Sequence, residues 1–195
     1  MSSGRIIDPR FLLEAYTRGI FPMADGEGGE IRWFSPDPRG IIPLDGLIVS
    51  RSLRRTIARN TFEIRFDSDF DATIRSCAAR PDVWISETII RSYTELFRLG
   101  VAHSVEAWCD GVLSGGLYGI SIGGAFFGES MFSRKTDASK CALVALVQRL
   151  NERGYELLDT QYQNDHLRTL GCIEIPKEEY LTRLHRAVQR TCTFI

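Results

Sequence analysis

The chain has 195 residues, a formal net charge of −1 and 44% hydrophobic residues, eleven of them phenylalanine. That composition excludes a mostly disordered protein and is enough for one full core, or for one domain with a small appendage. The near-neutral charge excludes an overall basic field, so any nucleic-acid contact has to come from a local patch.

In chain order, Met1–Arg5 leads straight into Asp8-Pro9 and is not expected to be a cleavable leader. Asp8 as N-cap with Pro9 at the first helical position predicts a helix that Gly19 ends in the left-handed conformation. Ile31–Phe34 reads as a strand, and Ser35-Pro36-Asp37-Pro38-Arg39-Gly40 as a turn-rich connection. That connection divides a small N-terminal domain, 1–38, from a main domain, 39–195. Ser50–Asn60 predicts a helix, and the spacing of Arg51, Arg55 and Arg59 puts three guanidiniums on one face, with Arg54 beside them. No acidic residue interrupts that segment; it reads either as a solvated face or as a phosphate-binding ridge.

Phe62–Phe66 reads as a strand, followed by helices near Phe70–Ala79 and Glu87–Leu99. Strands over His103–Cys109, Val112–Ile122 and Ala125–Phe132 are joined by the turn signals Asp110-Gly111 and Gly123-Gly124. Gly111 to Gly128 is uncharged for 18 residues, but seven are glycine, which suits strands and tight turns rather than a membrane span. A buried helix over 138–153 follows, then a short strand, Glu156–Gln161, and a last helix from Pro176. The five cysteines are scattered without C-x-x-C or Cys/His spacing, so they read as apolar residues of a reducing cytoplasm, and no metal site is expected. Antiparallel strands, a buried helix and a returning strand make an α+β (mixed α/β) fold, the order of the N-acyltransferase (GNAT-like) core.

Several blocks carry a more specific signal: Gly19-Ile-Phe-Pro22, Trp33-Phe-Ser-Pro-Asp-Pro-Arg39, Phe127-Gly-Glu-Ser-Met-Phe-Ser-Arg134, Leu158-Asp-Thr-Gln161 and Asn164-Asp-His166. Together, and in this order, they resemble the bacterial leucyl/phenylalanyl-tRNA–protein transferase family. The resemblance implies transfer of Leu, Phe or Met from aminoacyl-tRNA to the N-terminal Arg or Lys of a protein, marking it for N-end rule degradation. That reaction is aminolysis of an activated ester and needs no ATP, metal or other cofactor. The absence of a P-loop, a metal cluster or a nucleophile motif from the sequence agrees with it.

Asp159 and Gln161, two residues apart on a strand, are the expected catalytic pair, with Asp159 drawing the amine proton directly or through Gln161. A competing proposal for the family gives the proton shuttle to the tRNA's terminal 2′-hydroxyl, and the ordinary reading has Asp159 capping a turn after the strand with Gln161 solvated. Glu129, an acidic residue in an apolar stretch, is expected to counter the acceptor's cationic side chain, or else to pair with Arg134. The resemblance implies a donor pocket of Leu117, Phe126, Leu143, Leu146 and Leu150, any of which also suits ordinary core packing. It implies stacking of Trp84, in the loop after Pro81–Val83, on the terminal adenine. Arg51, Arg54, Arg55 and Arg59 would touch acceptor-stem phosphates, while Arg134, Lys135, Ser139 and Lys140 at a helix N-terminus would hold the 3′ end. Met23 stands where many members have Trp, which would loosen one wall of the site. Two other readings compete: a coenzyme A-dependent N-acyltransferase, disfavoured by the lack of a Gly-rich pyrophosphate loop, and a non-catalytic RNA-binding protein built on the arginine ridge.

Overall fold

In the computed structural model, which describes residues 6–26, 29–79 and 84–195, local signals produce the helices they predict. Met1–Arg5, read above for a leader, and Pro81–Val83, ahead of Trp84, lie outside the described residues. The Asp8 carboxylate accepts from the N–H groups of Arg10 and Phe11 at 2.9 and 3.0 Å, opening α1 (Pro9–Thr17), and Gly19 sits beyond its end at φ +72°. Ser50 caps α2 (Arg51–Ala58) in the same way, accepting from Leu53 N–H at 3.2 Å. The helices α3 (Phe70–Ala78) and α4 (Glu87–Arg98) follow, then α5 (Ala138–Glu152), α6 (Asp165–Thr169) and α7 (Lys177–Val188).

Among the described residues, β1 (Phe21–Ala24) and β2 (Ile31–Phe34) pair as a separate antiparallel sheet. The other strands are β3 (Arg39–Ile41), β4 (Glu63–Phe66), β5 (Ala102–Cys109), β6 (Val112–Ile122), β7 (Ala125–Ser133), β8 (Leu157–Gln161) and β9 (Ile173–Ile175). They form one sheet in the order β4-β5-β6-β7-β8-β3-β9, antiparallel except for β7 against β8. The predicted hairpin between β5 and β6 turns at Asp110 and Gly111, both at positive φ (52° and 73°), as a two-residue turn of matching twist requires. The mixed α/β class is therefore the one read from the sequence, and the apolar uncharged stretch is β6 and β7. No helix among the described residues is long and apolar enough to cross a membrane.

The sheet is buried on both faces, which is why β6 and β7 read as continuous apolar runs rather than as alternation. Tyr118, Phe127 and Leu157 face a core shared with α1, α3, α4 and α7. Their chain neighbours Leu117, Phe126 and Leu158 face the opposite core under α5. Sequence reading gave no strand at Phe21–Ala24, Arg39–Ile41 or Ile173–Ile175. These strands are 3 or 4 residues long, too short for a period to show, and long-range partners hold them in place.

Two irregularities open the sheet at one point. The parallel ladder between β7 and β8 ends at the pair Phe127–Asp159, after which Gln161 pairs with Gly40 of β3 instead. Across the other edge of β7, consecutive Tyr118 and Gly119 face Ser130 and Gly128, so Glu129 is an extra, bulged residue. A bulge redirects the side chain it carries. Glu129 and Gln161 thus stand on either side of a notch where two strands part.

Candidate active site

The notch opens into a cavity of about 770 Å³, within the range typical of small-molecule sites. Its apolar wall is built from Leu117 on β6, Leu143 and Leu146 on α5, and Leu158 on β8. Phe21 and Met23 of β1 contribute from the small sheet, with Trp84 beside them. Trp84 is held by its backbone, whose carbonyl accepts from Ala24 N–H at 3.0 Å. The polar lining comes from Glu129, Ser130, Arg134, Ser139, Thr160 and Gln161, with Asn164 and His166 at one side.

Glu129 is buried, 9% exposed, and is surrounded by neutral donors. Tyr16 of α1 donates to its Oε1 at 2.7 Å, the Tyr93 hydroxyl of α4 lies 3.2 Å from its Oε2, and the two tyrosine hydroxyls also bond each other. The Gln161 amide donates to Oε1 at 3.4 Å. Burial pushes the Glu129 carboxyl up to about 8 and nearby Asp159 adds to the rise, while the tyrosine hydrogen bonds and Arg39 oppose it. Arg134 is not its partner: that guanidinium donates to Leu113 O at 3.1 Å and to Ser76 Oγ at 2.8 Å.

Asp159 is fully buried, 0% exposed, and is not among the residues lining the cavity. Arg39 grips it bidentately, Nε to Oδ1 at 2.9 Å and Nη2 to Oδ2 at 2.6 Å. Tyr180 donates to Oδ2 at 2.7 Å, and the Gln161 backbone N–H to Oδ1 at 2.8 Å. The Arg39 guanidinium lies over the rings of Phe21 and Tyr180, 4.8 and 4.5 Å from their centroids, and donates to Gly19 O at 2.9 Å. This is the geometry in which a buried ion pair persists, with each charge multiply hydrogen-bonded. Gln161 sits at φ +60°, which its backbone bond to Asp159 helps to hold. Asp159 thus accepts the backbone N–H of the residue that ends β8, as a turn cap does, but Gln161 beside it is buried rather than solvated.

The structure brings Gln161, Glu129, Leu117, Leu143, Leu146, Trp84, Arg134 and Ser139 to one cavity. Phe126 and Leu150 lie behind the wall, fully buried in the same core cluster. Lys140 pairs with Asp137 at 3.1 Å, and Lys135 donates to Cys109 Sγ at 3.0 Å, both beside the cavity rather than in its lining. Arg51, Arg54, Arg55 and Arg59 are exposed on α2 outside the cavity. That helix packs on α5, and Thr56 reaches Asp137 at its N-terminus at 3.5 Å, so the ridge and the Arg134–Lys140 segment are neighbours. Among the described residues no group of three or more His, Cys, Asp or Glu is gathered as a metal site.

Sequence reading missed Tyr16, Tyr93, Arg39 and Tyr180. The tyrosines sit at core positions of helices, where nothing local separates a ligand of a carboxyl from a packed ring. Arg39 had two signals: it closes the block Trp33–Arg39, and it is a lone cation between Pro38 and the apolar run Gly40-Ile41-Ile42.

Two family models match the chain: leucyl/phenylalanyl-tRNA protein transferase over residues 41–185, and the N-terminal domain of that transferase over residues 5–37. The chain belongs to the leucyl/phenylalanyl-tRNA protein transferase family. It is 53% identical over 188 residues to the leucyl/phenylalanyl-tRNA–protein transferase of Gloeobacter violaceus, covering 96% of this chain and 97% of that one. It is 54% identical over 184 residues to the protein of that name from Rubrobacter xylanophilus, covering 94% and 96%. The enzyme is therefore an aminoacyltransferase that works with aminoacyl-tRNA and a protein acceptor. Among solved structures, the ribosomal-protein-alanine N-acetyltransferase of Brucella melitensis is matched at 15% identity and a TM-score of 0.40, over 56% of this chain and 85% of that one. A likeness that distant does not bear on the transferase's chemistry.

Proposed function

We propose that this transferase moves Leu, Phe or Met from aminoacyl-tRNA to proteins bearing N-terminal Arg or Lys, in the cytoplasm, committing them to N-end rule degradation. The observation that carries this reading is Glu129: a buried carboxyl on a bulge at the cavity, with tyrosine and glutamine as its hydrogen-bond partners. A cationic side chain of the acceptor completes it, and in its presence the carboxyl ionises. The donor side chain rests against Leu117, Leu143, Leu146 and Leu158, a wall that excludes charge.

The acceptor α-amine, with an ordinary value near 7.7–8, is neutral in a substantial minority of molecules near pH 7.5 and needs orientation more than a strong base. Gln161 donates to Glu129 through its amide nitrogen, and its carbonyl oxygen accepts from the amine. The amine nitrogen attacks the ester carbonyl carbon, the new C–N bond forms, and the bond to the ribose oxygen breaks. The proton lost by the amine leaves with that oxygen. Asp159 acts here as a positioning residue, because both of its oxygens are already engaged by Arg39, Tyr180 and the Gln161 backbone.

Label transfer from charged Leu-tRNA to peptides starting with Arg or with Asp, without ATP or coenzyme A, tests the reading. Label on the Arg peptide alone is the expected outcome. Label on the Asp peptide overturns the role of Glu129, and label on neither overturns the donor. For the tRNA body, Arg55→Ala is expected to weaken binding of every tRNA alike and to lower the slope of log affinity against log salt by about 1. An unchanged slope removes the α2 ridge from the interface.

A further inference from the structure

The donor wall has a second layer, and that layer is closed by a residue far from it in sequence. Phe126, the β7 partner of the lining Leu158, is fully buried behind the wall. Its ring sits beside Gly119 of β6, where an added Cβ would stand 2.2 Å from Phe127 O and 2.5 Å from the ring, so only glycine leaves the space. Against the Phe126 ring stacks Phe194, with centroids 5.3 Å apart and planes at 27°. Phe194 also stacks on His103 of β5, with centroids 4.4 Å apart, and packs edge-to-face with Phe66 of β4 at 5.9 Å. One aromatic tier, His103–Phe194–Phe126, therefore runs across β5 to β7 beneath α5.

Phe194 is held as a fixed part of that tier. The end of α7 meets the β6–β7 turn, where Gly124 N–H donates to Ala187 O at 2.8 Å, and further along the Cys192 thiol donates to Gly154 O, just past α5, at 3.4 Å. Arg149, on the helix that carries Leu143 and Leu146, donates to Phe194 O at 2.9 Å and lies 4.0 Å over the Phe66 ring. His103 is in turn tied to Asp67 at 2.8 Å. At 2% exposure, Phe194 leaves the Phe126 ring no room to retreat.

We propose that Phe194 is a specificity-determining residue of the transferase, setting the depth of the donor pocket by bracing Phe126 against the cavity wall. The proposal rests on the reading of Leu117, Leu143, Leu146 and Leu158 as the donor pocket. A shorter side chain at 194 lets Phe126 fall back, the wall follows, and larger donor side chains gain over smaller ones.

The test measures kcat/KM for Leu-, Met- and Phe-charged tRNA with Phe194→Leu, Phe126→Leu and Leu117→Ala. Phe194→Leu keeps an apolar side chain in the slot so that the fold survives, and Phe126→Leu reaches the same layer by a second route. Both are expected to raise the Phe-to-Leu ratio by about 10-fold, the order that one methylene's worth of pocket space carries. A residue that merely stabilises the fold lowers all three donors in proportion and leaves the ratio unmoved. Unchanged ratios in Phe194→Leu and Phe126→Leu, with a shifted ratio in Leu117→Ala, overturn the bracing role and leave the pocket standing. Unchanged ratios in all three overturn the pocket assignment and the bracing role with it.

Discussion

Asp159→Asn is expected to lower the melting temperature by roughly 6–20 °C and to abolish most turnover, while leaving tRNA affinity near that of the unaltered enzyme. The size follows from burial. Arg39 and Asp159 are 1% and 0% exposed, and removing one charge strands the other in an apolar setting, a change of about 3–5 kcal/mol. Turnover is lost because Asp159 holds the backbone of Gln161 at φ +60° and so aims its amide at Glu129. The positioning role has a consequence that direct base catalysis lacks: Arg39→Met, which alters no group in the cavity lining, is expected to damage turnover about as much. If Asp159 took the proton itself, losing Arg39 would leave that carboxylate in place and preserve activity at temperatures where the variant stays folded. Substantial turnover by Arg39→Met beside an inactive Asp159→Asn would therefore sink the positioning role.

Glu129→Gln is expected to reduce kcat/KM for peptides with N-terminal Arg by about 10–100-fold, the worth of a hydrogen bond to a charged group, with little change in tRNA binding. It also makes a signed prediction in pH. The Glu129 carboxyl lies at about 8 in the folded enzyme, above its ordinary 4.5. A group raised on folding contributes stability that is fully present below its unfolded value and is lost as pH rises through the folded one. The unliganded enzyme should lose stability from about pH 4.5 to pH 8, and Glu129→Gln should flatten that part of the profile. A cationic acceptor pulls the carboxyl into its ionised form, so binding at pH 7 should release about one proton more from the unaltered enzyme than from Glu129→Gln, read by calorimetry in buffers of different ionisation enthalpy. Equal proton release by both proteins would remove Glu129 from acceptor recognition.

What the amino-acid order determined by itself was local chemistry and family. Asp8, Pro9 and Gly19 bounded α1, Ser50 opened α2, and Asp110-Gly111 placed the hairpin, because caps and turns act within a few residues. The blocks around Phe127–Arg134 and Leu158–Gln161 pointed to the family whose models match the chain. Tertiary structure decided what those blocks do. Asp159 and Gln161 look like one catalytic pair on a strand, yet one is locked to Arg39, 120 residues away, and the other faces the cavity. Tyr16 and Tyr93 meet Glu129 across 113 and 36 residues, and Phe194 reaches the layer behind the cavity's leucine wall from beyond the last helix. No propensity, period or turn signal spans such separations. Whether a buried carboxyl is charged, paired or free to act depends on what packing brings against it, and packing is settled only when distant elements share one core.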